Sequence, residues 1–264
     1  MSSTRIGNEG NSWTVSGPVI DVSRGAQRPC KISSDSAELV FSPEHSALLV
    51  IDMQNYFCAP QLSRSESSLN LVPAIRTAIA DARRLQMHIG WVSWGNRMDL
   101  ANLPPSLVYS FRRNSAWGGI GGELPGGLGP ALIRESWSAR LISGLDPEPH
   151  DWQVDKYRLS GFHGTVLDQI LRNHAVTTLF FAGVNVDQCV WGTMLDASYL
   201  GYDTILLRDC AATSSPNYAE QATHYNVLRI GGFITTSTQF HTAELSRPEE
   251  ASGVDAIGSS EQES

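Results

Sequence analysis

The chain has 264 residues, 41% of them hydrophobic, which is enough to bury a large core in a single α/β domain. Its formal net charge of −8 argues against nucleic acids and anionic membrane surfaces as partners, and its apolar runs are too short to span a bilayer. Residues 1–8 lack the apolar core of a secretory signal, and the four cysteines lack the close pairs typical of disulfide scaffolds and zinc sites, so we expect a reduced, cytoplasmic protein.

The two ends of the chain differ from its middle. Residues 1–40 are rich in Ser, Gly, Asn and Arg and show no sustained hydrophobic period. We expect them to form an N-terminal arm on the surface, with a short strand at Trp13–Ser16 or Pro18–Val22. Residues 41–244 are predicted to form the folded domain, and residues 245–264 a polar, acidic and disordered tail.

Within the domain, short apolar runs alternate with segments of helical period. Strands are expected at Ser46–Asp52, Met87–Ser93, Gln153–Lys156, 178–183, Asp203–Leu207 and Phe233–Ser237, and helices at Leu71–Gln86, Thr165–Arg172, Cys189–Leu200 and Tyr218–Ile230. This alternation predicts an α/β fold of three layers, α/β/α, in which right-handed crossovers join the strands of a parallel sheet.

Residues 94–150 interrupt the alternation and are predicted to be irregular. The loosest piece is Gly118–Gly127, whose glycine spacing matches neither the P-loop nor the dinucleotide fingerprint. A flexible surface loop or lid is therefore the expected structure.

Three reactive side chains fall at or just after the carboxyl ends of predicted strands: Asp52, Lys156 and Cys189. Ligands of parallel sheets bind beyond these ends, so the three are expected to meet on one rim. Cys189 also comes at the predicted start of a helix, where free N–H groups and the helix dipole favour a thiolate. Taken singly, each residue is more often structural, and the prediction depends on the combination.

Together the three residues have the chemistry of a cysteine hydrolase. Asp52 can take the thiol proton and later return it to a leaving amine, and Lys156 would favour both anions. The backbone N–H groups of Asn185 and Cys189 can form an oxyanion hole.

Four segments carry a resemblance to a known family: Leu49–Phe57 (LVIDMQNYF), Lys156–Phe162 (KYRLSGF), Phe181–Val190 (FAGVNVDQCV) and Leu200–Ala212 (LGYDTILLRDCAA). In order and spacing they resemble the isochorismatase-like cysteine hydrolase superfamily. The stretch from Lys156 to Phe162 looks most like the branch of ureidoacrylate and N-carbamoyl amidohydrolases. The resemblance covers roughly residues 45–240.

The resemblance implies a Rossmann-like, six-stranded and mainly parallel sheet, and a homo-oligomer, a dimer or tetramer. It also implies a triad of Asp52, Lys156 and Cys189 and a cis peptide between Val184 and Asn185. Some members bind a metal through an Asp-x-His segment and a second histidine. Asp99 has no neighbouring histidine here, so we predict no metal and no other cofactor.

Other residues near the expected rim are candidates for substrate binding. Gln54 and Asn96 can donate to a substrate carbonyl, and the predicted pocket walls are Phe57, Trp94, Tyr157, Phe162 and Trp191. His163 lies near Lys156, although a loop histidine bonded to the backbone is the more common case.

We therefore expect an amidohydrolase that cleaves a non-peptide C–N bond of a small amide, ureide or carbamoyl substrate through a thioester. One alternative is an isochorismatase-type enzyme that hydrolyses a vinyl ether without a thiol nucleophile. A lactam hydrolase with the same triad is another. A non-catalytic binding protein on this fold is the third.

Overall fold

The computed structural model of the protein describes residues 3–62 and 66–245. Strands in these residues are β1 (Thr4–Asn8), β2 (Asn11–Ser16), β3 (Val19–Asp21), β4 (Cys30–Ser33), β5 (Glu38–Phe41), β6 (Ser46–Ile51), β7 (His88–Trp94), β8 (Trp152–Lys156), β9 (Thr178–Val184), β10 (Asp203–Ala212), β11 (Phe233–Thr235) and β12 (Glu244–Leu245). The α-helices are α1 (Asn55–Cys58), α2 (Glu66–Asn70), α3 (Val72–Arg84), α4 (Pro105–Arg113), α5 (Leu167–Asn173), α6 (Trp191–Tyr199), α7 (Asn217–Arg229) and α8 (Ser237–His241). None of these helices has the length and apolarity needed to cross a bilayer. The predicted disordered tail begins at Leu245, which is the last residue of β12. The rest of the tail, residues 246–264, lies outside the described residues.

The central sheet has six strands in the order β11-β10-β9-β6-β7-β8, and every neighbouring pair is parallel. Its middle strands, β6 and β9, are buried at every position because helices or strands cover both faces. Residues of α3, α8 and the N-terminal strands form the core on one face, and residues of α5, α6 and α7 form it on the other. The predicted three-layer α/β fold with a parallel sheet is confirmed.

The N-terminal strands form a second sheet together with β12, in the order β1-β2-β3-β5-β4-β12. Both predicted short strands are present, but the expectation of a mere surface arm is wrong. Cys30, Leu39 and Phe41 are buried in the main core, and the Phe41 ring meets the Phe180 ring edge-on at 5.0 Å between centroids. No single run here is long enough to show a period, so the burial comes from tertiary packing.

Asp203, at the start of β10, ties the two sheets together. Its buried carboxylate accepts from Trp13 Nε1 at 2.9 Å and Thr178 Oγ1 at 3.1 Å, and Arg24 Nη1 lies 2.5 Å away. Removing one partner of a buried ion pair leaves a charge without compensation. The pair therefore anchors the N-terminal strands to the central sheet.

We expect Arg24→Met to lower the free energy of unfolding by about 3 kcal/mol, because Asp203 stays buried without its counter-ion. Urea unfolding followed by circular dichroism measures the loss. Arg208→Met is the matched control, since it breaks the exposed Arg208–Asp35 pair and is expected to cost less than about 1 kcal/mol. Equal losses in the two variants would contradict the anchoring role.

Residues 94–150 are more ordered than predicted. They contain α4, which begins after Pro104 with Pro105 at its first turn, the position where a missing N–H costs nothing. Within the glycine-rich stretch, Ile120 and Leu124 are buried. Gly119 has a φ of +79° and packs so closely that a Cβ would overlap the backbone of Arg112. The stretch is thus a packed support for α4, and the expectation of a loose loop or lid is wrong.

Candidate active site

The backbone turns sharply where β6 ends. Asp52 has a φ of +53°, a left-handed conformation that costs a non-glycine residue energy and that usually marks a functional position. The turn is held by the Asp52 N–H, which donates to Val92 O at 3.0 Å, and by the Gln54 N–H, which donates to Asp52 O at 2.7 Å. The conformation places the carboxylate at the end of the sheet beside Lys156.

The backbone at the end of the neighbouring strand β9 also has an uncommon conformation. Gly183 has a φ of +113°, and a Cβ there would overlap the Ile51 carbonyl, so only glycine fits beside β6. The peptide bond between Val184 and Asn185 is cis. A π-helical turn, Val186–Val190, follows and carries Cys189 just before α6 begins. The nucleophile candidate thus lies in a π-helical turn instead of at the first turn of an α-helix.

Asp52, Lys156 and Cys189 meet at the rim of the sheet. Lys156 Nζ lies 3.0 Å from Asp52 Oδ2, and both side chains are almost completely buried. The same Nζ donates to Arg158 O at 3.1 Å and lies 3.7 Å from the centroid of the Trp94 ring, a cation–π contact. The Cys189 thiol lies close enough to Asp52 and Lys156 for both groups to influence its pKa. A base, a cation and a thiol are therefore in contact.

Burial controls the proton affinity of this trio. It raises the pKa of the Cys189 thiol to about 12, the Asp52 carboxylate raises it as well, and the Lys156 charge opposes both. Burial also raises the pKa of Asp52, although Lys156 and hydrogen bonds from Cys189 and Trp94 lower it. The helix start was expected to favour a thiolate at Cys189, and burial acts on the pKa of the thiol in the opposite direction. Burial also makes the Asp52 carboxylate more basic.

A cleft of about 550 Å³ opens onto this trio through Cys189, which is 5% exposed. The lining residues are Phe57, Ser68, Leu107, Ser110, Phe111, Asn114, Leu159, Asn185, Gln188, Cys189, Ser214 and Ser215. Asn185, predicted to contribute to an oxyanion hole, is among them, and its carbonyl accepts from the N–H groups of Gln188 and Val190. Asp52 and Lys156 do not line the cleft, so a ligand in it meets the sulfur first.

Gln54 and Asn96 are buried and bonded to the backbone, away from the cleft. Gln54 Nε2 donates to Trp94 O at 2.8 Å and Ala139 O at 2.7 Å, and its Oε1 accepts from the Trp94 N–H at 3.0 Å. Asn96 Nδ2 donates to Leu132 O at 2.9 Å. Neither amide lines the cleft, because both donate to nearby backbone carbonyls, and their role as donors to a substrate remains a prediction.

Of the five predicted aromatic walls, only Phe57 lines the cleft. Trp94 is buried, and Tyr157 lines a neighbouring cleft instead. Phe162 and Trp191 are partly buried and pack against the core. The structure places these four residues outside the Cys189 cleft, because position near a strand end does not determine which way a side chain faces.

His163 also lies in the neighbouring cleft, which has a volume of about 980 Å³. Its imidazole is exposed, and Nε2 is 3.0 Å from Asp196 Oδ2. The ring therefore pairs with a carboxylate on α6, outside the cleft that contains Cys189.

One face of α4 forms a wall of the Cys189 cleft that the sequence prediction missed. Leu107, Ser110, Phe111 and Asn114 follow the spacing i, i+3, i+4, i+7, which places them on one side of the helix. The double proline before an apolar pair at i, i+4 is the sequence signal for this helix. On another side, Ser214 and Ser215 follow β10, where the carboxyl-end rule would have indicated them.

Asp99, the position at which the family resemblance places a metal ligand in some members, is used otherwise. It pairs with Arg97 at 2.5 Å and accepts from the Ala101 N–H at 3.1 Å, and the hydrogen bonds from Arg97 and Ala101 lower its pKa to about 2. In the part of the chain that the structure describes, no three His, Cys, Asp or Glu side chains are arranged to hold a metal ion. The absence of a metal remains a prediction.

Comparison with known proteins gives consistent matches. The family model of the isochorismatase domain matches residues 46–239, from β6 into α8. A ureidoacrylate amidohydrolase of Enterobacter sp. (strain 638) is 31% identical over 210 residues, which cover 76% of this chain and 90% of that protein. The match leaves strands β1 to β5 outside the family region.

Two solved structures show the same similarity. A cysteine hydrolase from Pseudomonas syringae pv. phaseolicola 1448A superposes with a TM-score of 0.64 at 25% identity, covering 75% of this chain and 92% of that chain. N-carbamoylsarcosine amidase from Thermoplasma acidophilum gives a TM-score of 0.58 at 26% identity, covering 73% and 96%.

Proposed function

The chain belongs to the isochorismatase domain family, and from that premise we propose that it is a cysteine-dependent amidohydrolase. Its substrate is a small amide, ureide or carbamoyl compound, and the bond cleaved is a C–N bond other than a peptide bond. The observation that carries the proposal is the contact of Cys189 with the buried Asp52–Lys156 pair at the end of an open cleft.

The first half of the reaction forms a thioester. Asp52 takes the proton from Cys189, and Sγ attacks the substrate carbonyl carbon. The resulting oxyanion is held by the backbone N–H groups of Asn185 and Cys189. When the intermediate collapses, the C–N bond breaks, and Asp52 gives its proton to the departing ammonia or amine.

The second half regenerates the thiol. Asp52 takes a proton from water, the hydroxide attacks the thioester carbon, and the acid leaves as the C–S bond breaks. The proton on Asp52 then returns to the sulfur of Cys189. Lys156 stabilises whichever of the two groups is negative at each step, because its ammonium contacts both.

A screen for ammonia release over amides, ureides and lactams, run on the wild type and Cys189→Ala, tests the proposal. We expect at least one compound to be cleaved by the wild type alone. Turnover that is unchanged in the variant would contradict a cysteine mechanism. If mass spectrometry detects a lactam that is opened without ammonia release, the result would favour a lactam hydrolase that uses the same triad.

Alkylation of the Cys189 thiol distinguishes the amidohydrolase from the vinyl ether alternative. Cys189 is the cysteine that lines the cleft, while Cys30, Cys58 and Cys210 are buried in the core. We expect iodoacetamide to label Cys189 first and to remove amide turnover in step with labelling. An activity that survives complete labelling of Cys189 would favour acid-catalysed vinyl ether hydrolysis.

Thr193 is a positioning residue for the nucleophile. Its buried hydroxyl donates to Cys189 O at 2.7 Å and accepts from the Gly161 N–H at 3.0 Å, which links the π-helical turn to the loop after Lys156. We expect Thr193→Val to lower kcat by about 10-fold to 100-fold with a smaller change in KM, because the sulfur loses its alignment.

Thr193→Ser keeps the hydroxyl and is expected to restore kcat to within about threefold of the wild type, as the two hydrogen bonds are retained. Steady-state kinetics of both variants measures the change in kcat that misalignment causes. Urea unfolding shows whether the free energy of unfolding has changed as well. Equal kcat values for the Val and Ser variants would contradict the positioning role.

Assembly into a homodimer or homotetramer and action in the cytoplasm are further parts of this proposal. Four buried cysteines with free thiols support a reducing compartment. Light scattering coupled to size exclusion tests the assembly, and a monomer at all concentrations would contradict it.

A further inference from the structure

The cleft at Cys189 is lined by uncharged side chains. Four of the twelve lining residues are apolar, Phe57, Leu107, Phe111 and Leu159, and the others are polar and uncharged or, for Cys189, a thiol. Among the residues that the structure describes, the lining therefore contains no Arg, Lys, Asp or Glu. The chemistry of this lining limits which ligands can enter.

The charged groups next to the Cys189 sulfur, Lys156 and Asp52, already pair with each other. Lys156 is paired with Asp52 at 3.0 Å, contacts the Trp94 ring and donates to Arg158 O. Among the residues that the structure describes, no cationic side chain lines the cleft, so a carboxylate that entered it would lose water without gaining a counter-ion from them. Burying an unpaired charge is strongly unfavourable. An uncharged ligand has no such penalty.

Nearby arginines also have other partners. Arg97, Arg134 and Arg158 line the neighbouring cleft, which shares only Leu159 with the Cys189 cleft. Arg97 pairs with Asp99, Arg134 Nε lies 3.0 Å from Asp155 Oδ2, and Arg158 donates to the Asn102 and Tyr157 carbonyls. These guanidinium groups are held outside the site.

The polar part of the lining is suited to a neutral hydrogen-bonding group. Ser110 and Asn114, one turn apart on α4, offer hydroxyl and amide groups to the cleft. Elsewhere in the lining Gln188 Nε2 donates to Ser215 Oγ at 3.2 Å. Apolar Leu107 precedes these two polar residues and Phe111 lies between them, so both can pack against the body of a ligand.

We propose that the site selects uncharged amides that carry a second hydrogen-bonding group and discriminates against carboxylates. Ser110 on α4 and Asn114 at its C-terminal end are the residues that distinguish the two kinds of ligand. The inference rests on the proposed amidohydrolase function and names its substrate class. The relative from Enterobacter is named for ureidoacrylate, a carboxylate, so the chain is expected to differ from that protein in substrate charge.

Ammonia release from ureidoacrylate and from its uncharged methyl ester tests the proposal. We expect kcat/KM for the ester to exceed that for the acid by about tenfold or more, since the acid buries an unpaired charge. A preference for the acid would overturn the inference and leave the amidohydrolase function intact. If no compound in the broader amide screen releases ammonia either, the amidohydrolase function itself fails.

A charge placed on α4 makes the test sharper. Asn114→Lys is expected to shift the acid-to-ester ratio of kcat/KM toward the acid by about tenfold, because the new ammonium faces the cleft. Tyr109→Lys is the matched control: it adds the same charge at an exposed position on α4 that does not line the cleft, and should leave the ratio unchanged. Equal shifts in both variants, or none in Asn114→Lys, would overturn the role of α4.

Discussion

Replacing Cys189 with alanine should lower kcat/KM for any amide substrate by about 10⁴-fold or more, the scale on which nucleophile removal acts in other hydrolases. The physical reason is that Cys189 supplies the sulfur that reaches the cleft and contacts both Asp52 and Lys156. Without it, no thioester forms. Single-turnover kinetics with mass spectrometry of the acyl-enzyme measures the loss directly.

Cys58 provides the matched control for this variant. Burial and, to a smaller extent, the Asp52 carboxylate together raise the pKa of its thiol to about 12, so Cys58 is a second thiol affected by the same carboxylate. It does not line the cleft. We expect Cys58→Ala to keep kcat/KM within about fivefold of the wild type, since it changes packing alone. Residual activity of Cys189→Ala above one-tenth of wild type would contradict the proposed nucleophile.

Replacing Lys156 with methionine should have the second large effect, on both activity and stability. The side chain is completely buried, and the variant leaves the Asp52 carboxylate buried without a counter-ion. We expect a loss of about 3–5 kcal/mol in the free energy of unfolding at neutral pH, together with loss of turnover. Urea unfolding at several pH values measures the first effect.

The pH dependence of this variant has a definite sign. Burial raises the pKa of Asp52 in the folded protein, and the Lys156 charge is the largest opposing influence, so the variant raises that pKa further. The folded state then binds a proton more tightly than the unfolded state, and stability increases as the pH falls. We expect Lys156→Met to regain stability as the pH falls from neutral toward the ordinary pKa of an aspartate, because protonation removes the unpaired charge.

The double variant Asp52→Asn with Lys156→Met separates stability from catalysis. It removes both charges, so most of the lost stability should return while turnover stays absent. Recovery of stability identifies the unpaired carboxylate as the cause of the loss in Lys156→Met. Additive losses in the two single variants would contradict the coupling that the 3.0 Å contact implies.

The parallel arrangement of the central strands and the meeting of Asp52, Lys156 and Cys189 were predictable because both follow from local patterns. Apolar runs of strand length alternating with helical periods require a parallel sheet, and such a sheet brings its carboxyl ends to one rim. The quoted segments around these residues carried the family resemblance, and the family match extends over residues 46–239.

The residues around the trio were far less predictable. Gln54 and Trp94 follow or end strands at the same rim, as predicted, yet both are buried and bonded within the protein. The cleft wall comes instead from α4, a short helix in a stretch whose many glycines favoured an irregular prediction. Which side chains face a cleft depends on packing between elements far apart in the chain, and no local period records that.

The sequence by itself determined the α/β alternation, the rim and the three reactive side chains, because hydrophobic period and strand polarity are properties of short segments. Only the tertiary structure decided that the N-terminal strands join the core and that α4 walls the cleft. It also decided how deeply Cys189 is buried, and this burial raises the pKa of its thiol. How far a group is excluded from solvent depends on every element that packs around it, and the pKa of a buried group depends on that exclusion.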